Sequence, residues 1–338
     1  MYRPAYNPPQ RFASQELVWD EAPPAANLSV IEDDSQSILT HNTSPDFPFS
    51  WSVNPYRGCT HACSYCYARD WHAYLGLGAG TDHDARILIK LKAAALLEAA
   101  FQKPSWQGEY ICFSGITDCY QPLERKHLLT RACLEVCARY QNPVGIITRS
   151  PLITRDLDLL RQLPVRVSMS IPLLDPDLCR RLEPGAPAPT HRLAAIRALA
   201  DAGIPVGVSV SPLILGLNEH SIAETLTAAR EAGASYAWMI LLRLSPAVGV
   251  VFERRLREVW PERADTVLSR LRRARGGELQ SQGFGNRMRG EGDAWELARR
   301  MFEVWKNRLG FEDPRPFPEP SPFRRPTAQL SLFGGGAR

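Results

Sequence analysis

The chain has 338 residues, 44% hydrophobic and 22% charged, with a formal net charge of +4. These are the proportions of a globular protein of one large or two ordinary domains, and the net charge is too small to assign a partner class. No run approaches membrane-spanning length and residues 1–20 lack the apolar core of a secretion signal, so the sequence predicts a cytoplasmic protein without a membrane partner, whose eight cysteines serve as thiols or metal ligands rather than disulfides.

Residues 1–48, rich in Pro, Asn, Ser and Asp, predict an extended lead-in. From Trp51 onward, short apolar runs alternate with amphipathic segments. The runs predict strands at 49–54, 109–113, 144–148, 165–171, 205–211 and 236–242. Helical patterns fall between them at 87–102, 125–140, 154–163, 190–202 and 221–232, with Leu91, Ala94, Ala95, Glu98 and Ala99 showing the period in the first. Strand and helix alternate across 49–244, which predicts βα units around a parallel sheet, as an open barrel or a doubly wound fold. In both, chemistry sits at the carboxyl ends of the strands. After Leu242 the alternation stops, and helices near 248–259, 262–274 and 293–309 make a C-terminal helical region over 245–310. Arginines crowd there: Arg254, Arg255 and Arg257, then Arg270, Arg272, Arg273 and Arg275, then Arg287 and Arg289. They read as solvated helix faces or as a phosphate-facing surface. Residues 311–338, rich in Pro and containing Gly-Gly-Gly, predict a flexible tail.

Just after the first predicted strand, the sequence GCTHACSYCYAR carries Cys59, Cys63 and Cys66. Structural zinc takes four ligands and a disulfide takes two cysteines. A four-iron, four-sulfur cluster has four corners, so three thiolates leave one iron open to a small molecule. Tyr65 precedes the third cysteine, where an aromatic ring can flank such a ligand. The alternative is zinc, with His61 or a distant cysteine as fourth ligand. Only one Cys-x2-Cys pair exists, and no cysteine follows Cys179, which also argues against a second cluster in the C-terminal part.

The loop resembles the cluster-binding loop of the radical S-adenosylmethionine (radical SAM) enzymes. Further motifs resemble the spore photoproduct lyase-like branch of that superfamily: Cys-Ser-Tyr-Cys-Tyr ending at Tyr67, Ser114-Gly-Ile-Thr-Asp118, Ile147-Thr-Arg-Ser150, Ser168-Met-Ser170, Leu182-Glu-Pro-Gly185, His191-Arg-Leu-Ala-Ala195 and the run from Val206 to Pro212. The resemblance covers about residues 51–244. It implies a partial, open (βα)6 TIM-type barrel with a C-terminal helical extension. It also implies a 4Fe–4S cluster on Cys59, Cys63 and Cys66, bound S-adenosylmethionine, an electron donor such as flavodoxin or ferredoxin, and release of a 5′-deoxyadenosyl radical. DNA is the implied substrate, in a repair-related, lyase-like reaction. The alternatives are a protein or small-molecule substrate, or a non-catalytic, metal-binding adaptor.

Carried over position by position, Tyr65, Tyr67, Ser114, Gly115, Arg149, Ser170 and Ser211 would line the S-adenosylmethionine site. Short hydroxyls at strand ends suit ribose hydroxyls, and a cation suits the methionyl carboxylate. Each serine alone also fits a turn residue bonding its own backbone. At the Arg149 position the lyases carry lysine. Where Gly115 stands they carry the cysteine that returns a hydrogen atom to the product radical. Cys112 and Cys119 are the nearby thiols that can substitute, although Cys112 within a strand equally fits a buried small hydrophobe. Cys133 and Cys137, four apart on a helix, read as core. Asp118 fits a hydrogen-bond partner of ligand or substrate, or a helix-capping residue, and Gln121 and Glu124 follow it towards the same mouth. Finally, Gln329-Leu330-Ser-Leu332-Phe333 resembles the pentapeptide that docks bacterial repair proteins on the DNA sliding clamp, with Leu332 and Phe333 in an apolar pocket and Gln329 orienting the peptide.

Overall fold

The computed structural model of the protein describes residues 4–9, 12, 23–47, 49–279 and 288–326. Among them are ten strands: β1 Ser29–Glu32, β2 Leu39–His41, β3 Trp51–Val53, β4 Tyr56–Arg57, β5 Arg86–Ile89, β6 Ile111–Phe113, β7 Val144–Thr148, β8 Val165–Ser170, β9 Val206–Leu213 and β10 Tyr236–Leu241. Seven form one sheet in the order β10-β9-β8-β7-β6-β3-β2. The six from β3 to β10 in this sheet are parallel, and they are the six that the alternation predicts. β2 pairs antiparallel with β3 and forms one edge, while β10 forms the other. The barrel is therefore open. β7 is buried along nearly its whole length, as a central parallel strand covered on both faces must be.

Helices cover the outside, with differences from the sequence reading that have local causes. The pattern at 87–102 splits: Arg86–Ile89 is strand β5, and the helix runs only Ala93–Gln102. Ile87 and Ile89, two apart and both buried, pack with Tyr56 and Leu129, so period two prevails over the helical period there. The pattern at 125–140 breaks into Glu124–His127 and Leu129–Tyr140 at Leu128, whose φ is +55°. The buried carboxylate of Glu124 accepts the backbone N–H groups of Thr130 (2.9 Å) and Arg131 (3.1 Å), capping the second helix from outside it. Cys133 and Cys137, on the inner face of that helix, lie in the core, as read from the sequence.

Two of the expected boundaries shift. The lead-in contributes β2 to the barrel and β1 to a second sheet of order β1-β5-β4, and β4 ends one residue before the cysteine loop. At the other end, residues 311–326 are docked rather than loose. Phe311, Phe317 and Phe323 recur every six residues. Phe311 is buried. The Phe317 ring lies 4.5 Å from that of Tyr110 and receives the Arg166 guanidinium at 4.7 Å. Phe323 meets Phe101 and Tyr140 at 5.6 and 5.9 Å. Arg325 donates to the carbonyls of Phe101, Lys103 and Trp106. A Pro-rich segment is pre-extended and orders at low entropic cost. This strap crosses the amino ends of the strands, opposite the end where chemistry is expected. The clamp-like residues Gln329, Leu330, Leu332 and Phe333 lie outside the described residues.

The strap contacts predict that Phe323→Ala costs about 1–3 kcal/mol, read as a lower urea midpoint together with faster proteolytic cleavage within 311–326. An unchanged midpoint would show that the strap rests on the barrel without stabilising it.

Candidate active site at the barrel mouth

The cysteine loop, 58–66, has no ladder of its own, so its backbone polar groups need partners elsewhere. Gly58 opens it with φ +80°, and a Cβ there would fall 2.9 Å from the His72 ring and from the His83 carbonyl. Cys59 N–H donates to His83 O (2.9 Å), Ser64 N–H to Leu182 O (2.9 Å), and Gly185 N–H to His61 O (3.0 Å). The Gln121 side chain accepts Thr60 N–H and donates to Gly58 O, which also accepts the Thr117 hydroxyl at 2.6 Å. Arg69, fully buried and paired with Asp84 at 2.7 Å, donates twice to Cys63 O. The Leu-Glu-Pro-Gly run is thus the outer wall of the loop. A Cβ on Gly185 would fall 2.0 Å from Thr60 O.

All three cysteines line one cavity at the carboxyl ends of the strands, together with Tyr65, Tyr67, Ser114, Asp118, Arg149, Ser170 and Ser211. Side chains two apart on a strand share a face, so Ile147 with Arg149, Ser209 with Ser211 and Trp238 with Ile240 reach the same cavity. Ser114 Oγ accepts Cys119 N–H and Ser211 Oγ accepts Ile240 N–H, both at 2.9 Å. Each hydroxyl keeps its own hydrogen to donate. Gly115 is not in the wall, but its carbonyl accepts the Tyr67 hydroxyl at 2.6 Å. Ser209, not among the expected site residues, is fully buried in the wall, and its hydroxyl has no hydrogen-bond partner among the described residues. Such an orphan costs about 1–3 kcal/mol unless a ligand meets it.

Three predicted residues are placed differently. Cys112 and Cys119 are wholly buried and neither lines the cavity. Cys119 packs in the hydrophobic core, and burial pushes the Cys112 thiol up to about 12. Asp118 reaches the mouth, yet the chain itself occupies both of its oxygens. One accepts Thr148 Oγ1 (2.7 Å) and Tyr120 N–H (2.9 Å), and the other accepts Arg149 N–H (2.9 Å) and faces His61 at 3.4 Å. Burial would raise its pKa, but the His61 contact and these hydrogen bonds hold it down at about 2. Asp118 therefore ties β6, β7 and the cysteine loop together. A side chain at Gly115 would also meet resistance, because its Cβ would sit 3.1 Å from Ser52 Cβ.

Charge at the thiols is uneven. Burial opposes ionisation of Cys59, but the His61 charge brings its thiol below the ordinary value, while burial carries Cys63 and Cys66 above it. His61 is itself lifted to about 9: burial would lower it, and the Cys59 and Asp118 charges prevail. Beside Cys63, Arg149 Nη1 lies 2.8 Å from the sulfur and 2.8 Å from the buried Glu183 carboxylate. Glu183 also accepts from the Tyr65 hydroxyl and from Arg192.

The model of the radical SAM superfamily matches residues 53–229. The chain belongs to the radical SAM superfamily. Enzymes of this superfamily work with a 4Fe–4S cluster and S-adenosylmethionine. The donor set fits the pair: three sulfurs on one loop, a cation beside them, and a cavity with an unpartnered hydroxyl. An uncharacterized protein of Mycobacterium tuberculosis (strain ATCC 25618 / H37Rv) is 39% identical over 176 residues, 51% of this chain and 52% of its own length. An uncharacterized protein of Methanocaldococcus jannaschii is 30% identical over 179 residues, 51% of this chain and 64% of its own. The chain thus spans about half the length of the mycobacterial relative. A spore photoproduct lyase with bound AdoMet and dinucleoside spore photoproduct superposes with a TM-score of 0.61 over 83% of this chain and 79% of that one, at 18% identity. That likeness is one of fold.

Among radical SAM features of this chain, the sequence reading quoted Glu183 and Arg192 as motif members without a role. Nothing local marks them out, since both stand beside exposed residues, yet both side chains are fully buried. Because Gly185 touches the loop backbone, Gly185→Ala is expected to displace Thr60 and at least halve the iron bound after anaerobic reconstitution. Iron and sulfide analysis against wild type checks this, and full occupancy in the variant would refute the role given to the Glu-Pro-Gly wall.

Proposed function

We propose that the protein is a radical SAM enzyme that holds one 4Fe–4S cluster on Cys59, Cys63 and Cys66, binds S-adenosylmethionine in the adjoining cavity, and acts on DNA. The observation that carries the cofactor reading is the convergence of three thiols and the strand-end groups Ser114, Arg149, Ser170, Ser209 and Ser211 on one cavity. When bound, the pair supplies an electron to the sulfonium and a 5′-deoxyadenosyl radical that abstracts hydrogen from substrate. The chain's own residues bind and orient. The serine hydroxyls donate to ribose oxygens, Tyr65 and Tyr67 wall the cavity, and Arg149 offers unused N–H groups to a carboxylate. Trp238, Ile240 and Leu242 make the wall apolar and exclude water.

The DNA reading rests on charge. Residues 246–310 contain fourteen Lys and Arg against nine Asp and Glu, whereas the rest of the chain contains twenty-six against twenty-seven. The first helix of that region, Pro246–Val259, packs beside the short helix Tyr67–Leu75 that follows the third cysteine, which brings the start of the region, with Arg254, Arg255 and Arg257 against Glu253 and Glu258, near the mouth. With glycine at position 115 and both Cys112 and Cys119 outside the cavity wall, the proposed reaction does not use a thiol at the strand-two motif to quench the product radical.

Anaerobic reconstitution, reduction with dithionite and addition of S-adenosylmethionine should yield 5′-deoxyadenosine from wild type and none from a Cys59→Ala, Cys63→Ala, Cys66→Ala variant. Zinc uptake with no 5′-deoxyadenosine would sink the cofactor reading. For the substrate class, affinity for duplex DNA should fall steeply between 50 and 200 mM salt, by about tenfold or more given several phosphate contacts. Affinity too weak to measure at low salt would remove DNA and leave a protein or small molecule as substrate.

A further inference from the structure

From the buried side chains behind the cysteine loop we infer that Arg149 sets the reduction potential of the cluster through Cys63, and that Glu183 is the positioning residue that holds it there. The inference rests on the cofactor reading above. Arg149 Nη1 carries two hydrogens. The geometry directs one to Cys63 Sγ and one to Glu183 Oε1, both at 2.8 Å. Glu183 has no solvent exposure and is held from behind by Arg192, likewise fully buried. Arg192 is in turn fixed by the carbonyls of Ser170 (3.1 Å) and Pro187 (2.9 Å) and by Cys179 Sγ (3.2 Å). Tyr65, between two of the cysteines, donates its hydroxyl to the same carboxylate.

The charges decide the direction. Arg192, Glu183 and Arg149 together carry one surplus positive charge, and the end that carries it touches a cluster-ligand sulfur. A 4Fe–4S core in its resting 2+ state with three thiolates is a net anion, and one added electron makes it more so. A guanidinium N–H bonded to a thiolate stabilises the reduced state more than the oxidised one, because hydrogen bonds to the sulfurs and local charge set such potentials. Burial strengthens the effect, since little solvent screens it. A freely moving arginine would forfeit part of the interaction to water and rotamer entropy. Glu183, unable to move, prevents that. Among the described residues the Nε and Nη2 hydrogens of Arg149 meet no acceptor within hydrogen-bond reach, and the side chain lines the cavity, so the same residue serves the cluster and stays available to a ligand.

The test is an anaerobic redox titration of the reconstituted full chain, followed by electron paramagnetic resonance of the reduced cluster, without S-adenosylmethionine. Arg149→Met should make one-electron reduction at least tenfold less favourable, a shift of 59 mV to lower potential, at unchanged iron content. Arg149→Gln takes its place where the methionine variant does not fold. Arg149→Lys, which keeps the cation, should return to within about threefold of wild type. Glu183→Asp keeps the charge but draws the carboxylate back by one methylene, and should shift the potential in the same direction by a smaller amount. A wild-type potential in both Arg149→Met and Arg149→Gln overturns the role of Arg149. A wild-type potential in Glu183→Asp overturns that of Glu183. Failure of wild type itself to assemble a cluster on its three cysteines is a different result and sinks the cofactor reading instead.

Discussion

The mouth of this barrel depends on keeping an irregular loop in one shape before any cofactor arrives. The loop that carries the three thiols lies in neither helix nor strand, so its backbone groups need partners elsewhere. The chain solves this with donors and acceptors from other segments: the His83 carbonyl at the loop's first cysteine, Gln121 and Thr117 beneath its first turn, Leu182 and Gly185 along its outer side, and Arg69, from the helix that follows, at its centre. Each bond of this kind contributes on the order of 1 kcal/mol, and those to charged groups more. Acting together, they spare the loop the entropy of being ordered by its ligand.

The buried ion pairs follow from the same need. Arg69 with Asp84, and Arg192 with Glu183 and Arg149, are charges taken out of water next to the loop. Such pairs add little net stability compared with apolar packing, but removing one partner costs about 3–5 kcal/mol. Their use here is directional: each fixes a guanidinium against a particular carbonyl or sulfur. The molecule's two ends divide the work accordingly. The amino ends of the strands are covered by the aromatic strap around Phe317 and Phe323, and the carboxyl ends keep an open cavity.

Much of the fold was legible because its determinants are local. Six apolar runs alternating with helical patterns marked the six parallel strands, and the strand at 144–148 matched to the residue. Where local signals competed, the reading slipped. Ile87 and Ile89 fit a helix by composition, but Tyr56 and Leu129 bury them as strand neighbours. Pro-rich composition predicts a loose tail where the strap docks, because it reports the lack of helix or sheet and not the lack of contacts. The sequence could not show that Phe311, Phe317 and Phe323 would find rings and guanidiniums at the foot of the barrel.

By itself, the sequence determined where the thiols gather. Cys59, Cys63 and Cys66 are four and three positions apart, so one short stretch of chain brings them together whatever surrounds it. It also determined that serines at strand ends would meet at one mouth, because period two and parallel order leave them no other side. Only the tertiary structure decided what those residues are free to do. Asp118 turned out to be saturated by its own chain, Cys112 and Cys119 were carried away from the cavity wall, and Ser209 was left facing it without a partner. The contacts that define the thiol environment join residues 118 positions apart for Tyr65 and Glu183 and 86 apart for Cys63 and Arg149. No local propensity encodes such pairs; they exist because the parallel order of the strands brings their carboxyl ends to one mouth.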